Sequence, residues 1–316
     1  MISFRYHIVS IMAVFLALGL GILLGSSVVS APLDARHVAE AQRYKDERDD
    51  AKAKASEVTG ENNTLRRRIG DEVAPWAVHE RLAGTPFVFV SDTPQVPKWR
   101  SHVESALVAA GAEVRGTIVL SERWQLSAPD DETDLVATMQ SIVPTYEPGD
   151  DSASSALEML GERFAEPTGR ALIDVLGRDG FLTVQGRGDG DWPPPGAAVV
   201  VLSQARTEDV PLTRGSGMFA QSVADVTPTL VVADLPTDTS LVTELRDADG
   251  LPDALSTFDA ATDDTDPGGI GVVAALLAAT EGRGGHYGTG RGLTFVAPAP
   301  PPDGDCPGDV RRCLVR

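Results

Sequence analysis

Cysteine is nearly missing from this 316-residue chain: Cys306 and Cys313, both close to the C-terminus, are the only two. Two thiols cannot build a disulfide scaffold or a four-cysteine zinc site. In an oxidising compartment they read first as a disulfide closing a short loop, worth about 2–3 kcal/mol on the chain-entropy estimate. A soft-metal pair is the alternative. Lysine stops at Lys98, so the body beyond it has no phosphate-loop lysine and no Schiff-base nucleophile. Positive charge of any kind is scarce there: residues 73–316 carry 17 basic and 36 acidic side chains, against 9 and 10 in residues 34–72. With a formal charge of −19, such a chain repels phosphate backbones, which argues against nucleic acid as a partner. The histidines (7, 37, 79, 102 and 286) and the methionines (1, 12, 139, 159 and 218) are scattered, with no Met-x-x-Met and no His-x-His. No Ser/His/Asp order or metalloprotease helix stands out either, so no catalytic or cofactor-binding residue is assigned and the chain is expected not to be an enzyme.

Charge is also absent from Ile8 to Val29, 22 residues reading IVSIMAVFLALGLGILLGSSVV directly behind Arg5 and His7. At about 1.5 Å per residue a helix of that length spans roughly 33 Å, the thickness of a bilayer's hydrocarbon core. Val29-Ser30-Ala31 has the small residues of a signal-peptidase site. The apolar run, however, exceeds the roughly 7–15 residues of a signal's core, and Pro32 would follow the scissile bond. A retained anchor over 1–31 is therefore expected, single-pass, with the N-terminus cytoplasmic and the main domain extracytoplasmic. Arginines on both flanks leave the positive-inside rule little to add. Within the anchor, Ala17, Gly21 and Gly25 recur every four residues, a small face on which two membrane helices can approach.

Proline is missing between Pro32 and Pro75. Pro32 can open a helix, and from it a polar stretch runs to about residue 72. His37, Ala41, Tyr44, Arg48, Ala51, Ala55, Val58, Asn62, Leu65 and Ile69 alternate four and three apart, a heptad seam of more than four repeats. Alanines and polar residues make it weak. The spacing predicts a coiled-coil stalk over 32–72 that forms a homo- or hetero-oligomer. Beyond it the pattern changes to short, continuous apolar runs separated by helical stretches. Strands are predicted at 86–91, 114–121, 197–202, 229–233 and 255–258, and helices near 73–82, 98–110, 131–143, 154–164, 168–176 and 271–281. This alternation predicts an α/β domain over 73–297, a mainly parallel, Rossmann-like three-layer sheet. Residues 185–196, with four Gly and three Pro, read as a loop or domain seam, and 298–316 as an irregular tail.

Several predicted strands end in a polar residue: Ser91-Asp92, Ser121-Glu122, Ser203-Gln204, Asp234 and Asp259. In open parallel sheets ligands sit outside the carboxyl ends of strands, so Asp92, Asp234 and Asp259 are candidates to converge on a cation. Helix capping is the alternative role. The cluster GRGGHYGTGRG, Gly282 to Gly292, does not follow a strand and open a helix, so it is no dinucleotide fingerprint. It is expected to form a tight turn, with His286 a further candidate ligand.

The opening MISFRYHIVSIMAVFLALGLGILLGS, the heptad stalk, STFD (Ser256–Asp259) and GGHYG (Gly284–Gly288) resemble the actinobacterial MctB family of copper-transport outer-membrane proteins. The resemblance spans essentially the whole chain and is looser between about 95 and 230. It implies an anchored envelope protein linked to copper homeostasis, with copper as a transported or sensed ion. Relatives are also associated with a partner membrane protein in cell separation, and no ligand motif carries over. The family label and the physics diverge at one point. An outer-membrane pore is a closed barrel of alternating strands, whereas this chain offers one apolar helix and non-alternating strands. A single-pass anchor in the cytoplasmic membrane is expected instead.

Overall fold

The computed structural model of the protein describes residues 4–186, 192–204, 214–234, 240–248, 250–262 and 264–289. Cys306, Cys313 and the tail from 298 lie outside these residues. The chain divides into two units, Met1–Thr64 and Leu65–Arg316.

The first unit is helical. α1 runs from Phe4 to Arg68, continuous through Pro32, where the sequence predicts a new start. A proline inside a helix removes one intrahelical hydrogen bond, and the helix-forming flanks carry the turn. Its one segment long and apolar enough to cross a membrane is His7–Leu24, none of it buried against the protein. The seam residues from Ala41 to Leu65 are helical and exposed.

In the second unit a π-helical turn, Ile69–Val73, leads to α2 (Ala74–Val78), β1 (Pro86–Ser91), α3 (Arg100–Ala109) and β2 (Glu113–Leu120). α4 (Asp131–Ile142), α5 (Ser152–Glu162), α6 (Pro167–Arg178) and β3 (Leu182–Gln185) follow. Then come β4 (Ala198–Ser203), α7 (Arg214–Ala224), β5 (Thr229–Ala233), α8 (Leu241–Arg246), β6 (Leu255–Phe258), α9 (Ile270–Thr280) and β7 (Gly285–Tyr287). The seven strands form one sheet in the order β3-β2-β1-β4-β5-β6-β7, parallel except for β3. Residues on both sides of 185–196 therefore belong to the same sheet.

The central strands β1, β4 and β5 are almost continuously apolar because both of their faces are covered. Phe87 and Phe89 of β1, Val200 and Leu202 of β4, and Leu230 and Val232 of β5 pack with α2, α3 and α9. Val88 and Val90, Val199 and Val201, and Val231 alternate to the other face, against α4 to α8. The result is a three-layer sandwich, as the strand pattern predicts. The β1–β2 register shifts between Phe87 and Val88, opposite Gly116. Gly116 has φ 142°, and a Cβ there would press on the Trp192 indole, whose Nε1 donates to the Arg115 carbonyl at 2.6 Å.

Four elements go beyond the predicted ones. β3 and β7 are edge strands of four and three residues, too short to show periodicity. α7 opens on Gly215 and Gly217, and α8 has six residues. The glycine cluster from Gly282 does open on a turn that closes α9, where the Gly282 and Arg283 N–H groups reach back to the Ala279 and Ala278 carbonyls. It then holds a strand, however: Gly285, His286 and Tyr287 pair in parallel with Ser256, Thr257 and Phe258. Glycine density suggested a turn, but Gly284 and Gly285 instead let the chain pass close to its neighbours. A Cβ on Gly284 would collide with the carbonyls of Leu255 and Asp253.

Candidate functional site

The strand order reverses between β1 and β4, and in doubly wound sheets the crevice at such a switch point takes the ligand. Here the described side chains at the strand ends bond to one another and to nearby backbone. The Gln204 amide, just past β4, donates to Thr93 Oγ1 at 2.7 Å and also to the Gln95 carbonyl. Ser91 Oγ donates to the Thr93 carbonyl at 2.9 Å. Ser203 Oγ accepts the backbone N–H of Leu241 at 3.1 Å, which ties β4 to the start of α8. The loop after β1 (SDTPQVPK) contains no glycine, so it offers no backbone cradle for a pyrophosphate.

Capping accounts for further polar groups at element ends. Ser121 Oγ takes the Arg123 N–H, Asp151 takes the N–H groups of Ala153 and Ser154, and Ser240 takes that of Thr243. Asp266, which the sequence reading passed over, is fully buried. Its two oxygens accept the Gly271 and Val272 N–H groups at 2.8 and 3.0 Å, at the positive end of α9. The signal was available, since an Asp directly before Pro267 and an apolar run marks a helix start.

The candidate ligands lie at separate strand ends. Asp92 follows β1 and is buried, and Asp234 follows β5 and is half-buried. Asp259 follows β6 and is fully buried, with both oxygens engaged. Oδ2 accepts from Arg246 Nη1 at 2.7 Å, and Oδ1 accepts the Thr289 N–H at 2.9 Å. Arg246 Nη2 also donates to the Tyr287 carbonyl at 2.8 Å, so one guanidinium at the end of α8 ties β6 to β7. Gly288 follows with φ 135°, where a Cβ would overlap Asp259 Oδ1. The two stretches STFD and GGHYG are thus the two halves of one clamp. Arg246 and Thr289 were missed because nothing local in the sequence links them to Asp259.

His286 lies beside this clamp, its Nδ1 2.9 Å from Thr257 Oγ1. Burial, and then the nearby Arg246 charge, hold the imidazole below its ordinary value of 6.5. An unfolded chain takes up a proton near 6.5 that the folded chain refuses. The stability held at neutral pH is therefore lost progressively as pH falls below 6.5. His286→Asn is expected to flatten that acid-side loss, read as melting temperature from pH 7.5 to 5. Parallel profiles for both chains would refute the assignment.

Among the described residues, no three His, Cys, Asp or Glu side chains gather to hold a metal ion. The buried thioether of Met139 packs in the core, and Met159 lies against it.

Fold and site together define a class: a three-layer α/β domain preceded by a helix of membrane-spanning length, with the polar residues at its strand ends largely holding the sheet together. The chain belongs to the family described as "Copper transport outer membrane protein, MctB", whose sequence profile matches residues 1–298. Relatives include the copper transporter MctB of Mycobacterium tuberculosis (strains CDC 1551 / Oshkosh and ATCC 25618 / H37Rv) and of Mycobacterium bovis (strain ATCC BAA-935 / AF2122/97). Each is 27% identical over 331 aligned residues, covering 94% of this chain and 99% of the relative.

Proposed function

We propose that the protein is a membrane-anchored component of the cell envelope that acts in copper transport and tolerance without catalysing a reaction. The observation that carries this reading is the end-to-end match to copper transporters, which includes the apolar first helix. A strand buried on both faces has no side to offer lipid, so the seven-stranded sheet is unsuited to a barrel pore. One spanning helix is likewise no channel. The reading therefore puts the anchor in the cytoplasmic membrane, the N-terminus in the cytoplasm and the α/β domain on the far side. Copper is cargo handled with other components, not a resident ion.

Deleting the gene in its host is expected to lower copper tolerance and raise cell-associated copper, with rescue by the full chain but not by a chain lacking residues 1–31. Unchanged growth in copper and unchanged copper content would overturn the reading. The exposed stalk seam favours a second reading, a scaffold or regulator that works with another membrane protein in cell separation. The same deletion would then leave cells joined while copper content stayed normal.

A further inference from the structure

We propose that the stalk of α1 is one strand of a parallel, in-register homodimer. This goes beyond the copper reading and takes from it only the membrane anchor. The heptad phase puts Tyr44, Ala51, Val58 and Leu65 at d positions and Arg48 and Asn62 at a positions. Among the described residues the seam is exposed: Tyr44, Val58 and Leu65 are 72%, 55% and 57% exposed. An apolar seam of this kind needs a second helix to remove it from water.

The charges flanking the seam name the occupant. In the same phase the g positions hold Glu40, Glu47 and Glu61, and the e positions five residues further on hold Lys45, Lys52 and Arg66. A parallel in-register dimer sets each g side chain beside the e side chain of the following heptad on its partner. Three opposite-charge pairs result on each side of the seam: Glu40 with Lys45, Glu47 with Lys52 and Glu61 with Arg66. The remaining pair, Lys54 with Thr59, is neutral. An antiparallel pairing sets g against g and e against e, which brings mostly like charges together, with Lys54 the one basic g residue that could meet a glutamate. A different protein would have to carry this same pattern to pair in parallel, or its inverse to pair antiparallel, whereas this chain already complements itself. Asn62 at an a position adds a register pin, since paired asparagines there favour two parallel strands over staggered ones. Alanines leave the seam weak, and confinement of the copies to one membrane raises the effective concentration that a weak seam requires.

Because α1 is unbroken, the same register reaches into the anchor. Leu20 lies three whole heptads before Ala41, so Leu16, Leu20 and Leu23 continue the seam, and Ala17 and Gly21 fall outside it.

The test uses the full chain in native membranes, with Cys306→Ser and Cys313→Ser removing the native thiols. Tyr44→Cys, Ala51→Cys and Val58→Cys are made one at a time, with Ala53→Cys, at an outward f position, as the control. On oxidation with diamide, all three d-position chains are expected to give a species of twice the chain mass, and the control several-fold less. Lys45→Glu with Lys52→Glu should lower the yield of the Val58→Cys chain, and adding Glu40→Lys with Glu47→Lys should restore it. Linking at only one of the three d positions would mean an antiparallel pair and overturn the proposal. So would equal linking at Ala53→Cys, or linking to a protein of different mass.

Discussion

Replacing Arg246 with Met is expected to destabilise the α/β domain by about 3–5 kcal/mol, the usual consequence of stranding one partner of a buried ion pair. The pair is 2.7 Å long, and its side chains are 15% and 1% exposed, so water cannot take over the charge that remains. The lost guanidinium also leaves the Tyr287 carbonyl without its donor and loosens β7 from the end of α8. Asp259→Leu alone should cost a similar amount, since it strands Arg246 and frees the Thr289 N–H. The double substitution Arg246→Met with Asp259→Leu should cost clearly less than the two losses added, because no unpaired charge remains. Urea unfolding of the detergent-solubilised chain, followed by tryptophan fluorescence, measures all three. Additive losses would show that the pair does not act as a unit. Arg163→Ala supplies the contrast. Its bond to Glu166 is 3.4 Å long with both side chains more than 40% exposed, so its loss should cost about 0–1 kcal/mol.

That clamp also shows where the sequence is legible and where it stops. The bounds of β1 and β5 can be read from the chain because strands buried on both faces must be almost wholly apolar, and the short β6 shows as Leu255 and Phe258 flanking two buried hydroxyl residues. The longer helices are legible for the complementary reason, each needing an apolar stripe to cover a sheet face. Asp259 could be picked out as a polar residue ending such a strand, but its role could not. Arg246 lies thirteen residues before it and Thr289 thirty after, and they meet only because β5, β6 and β7 are neighbours. The edge strands stayed hidden because three or four residues cannot display a period of two. Inside the glycine cluster β7 went unread for a physical reason. Glycine is used there for close backbone approach, and a lone sequence cannot tell that use from a turn. The stalk is the opposite case: its heptads and its charge pattern are entirely local, so the register of a dimer can be argued from spacing alone.

Gly269→Ala is expected to cost about 3–5 kcal/mol, combining a left-handed backbone with overpacking against a helix. Gly268 and Gly269 both sit at φ 71°, between the Asp266 cap and the first turn of α9. A Cβ on Gly269 would overlap the Cβ of Ala106 on α3, and one on Gly268 would overlap the Cβ of Ala74 on α2. The pair thus lets α9, buried along most of its length, dock against α2 and α3 on one face of the sheet. Gly180 separates the two contributions. Its φ of 79° is just as unfavourable for a side chain, but nothing lies within 4 Å of where a Cβ would be. Gly180→Ala should therefore lose only the backbone part, on the order of 1–2 kcal/mol. Ala106→Gly, introduced together with Gly269→Ala, removes the atom that would be struck. It should recover part of the loss despite the roughly 1 kcal/mol that glycine costs inside α3. Unfolding midpoints of the four chains decide the matter. If Gly180→Ala and Gly269→Ala lost equal stability, the close approach of α9 to α3 would not be what requires glycine at this position.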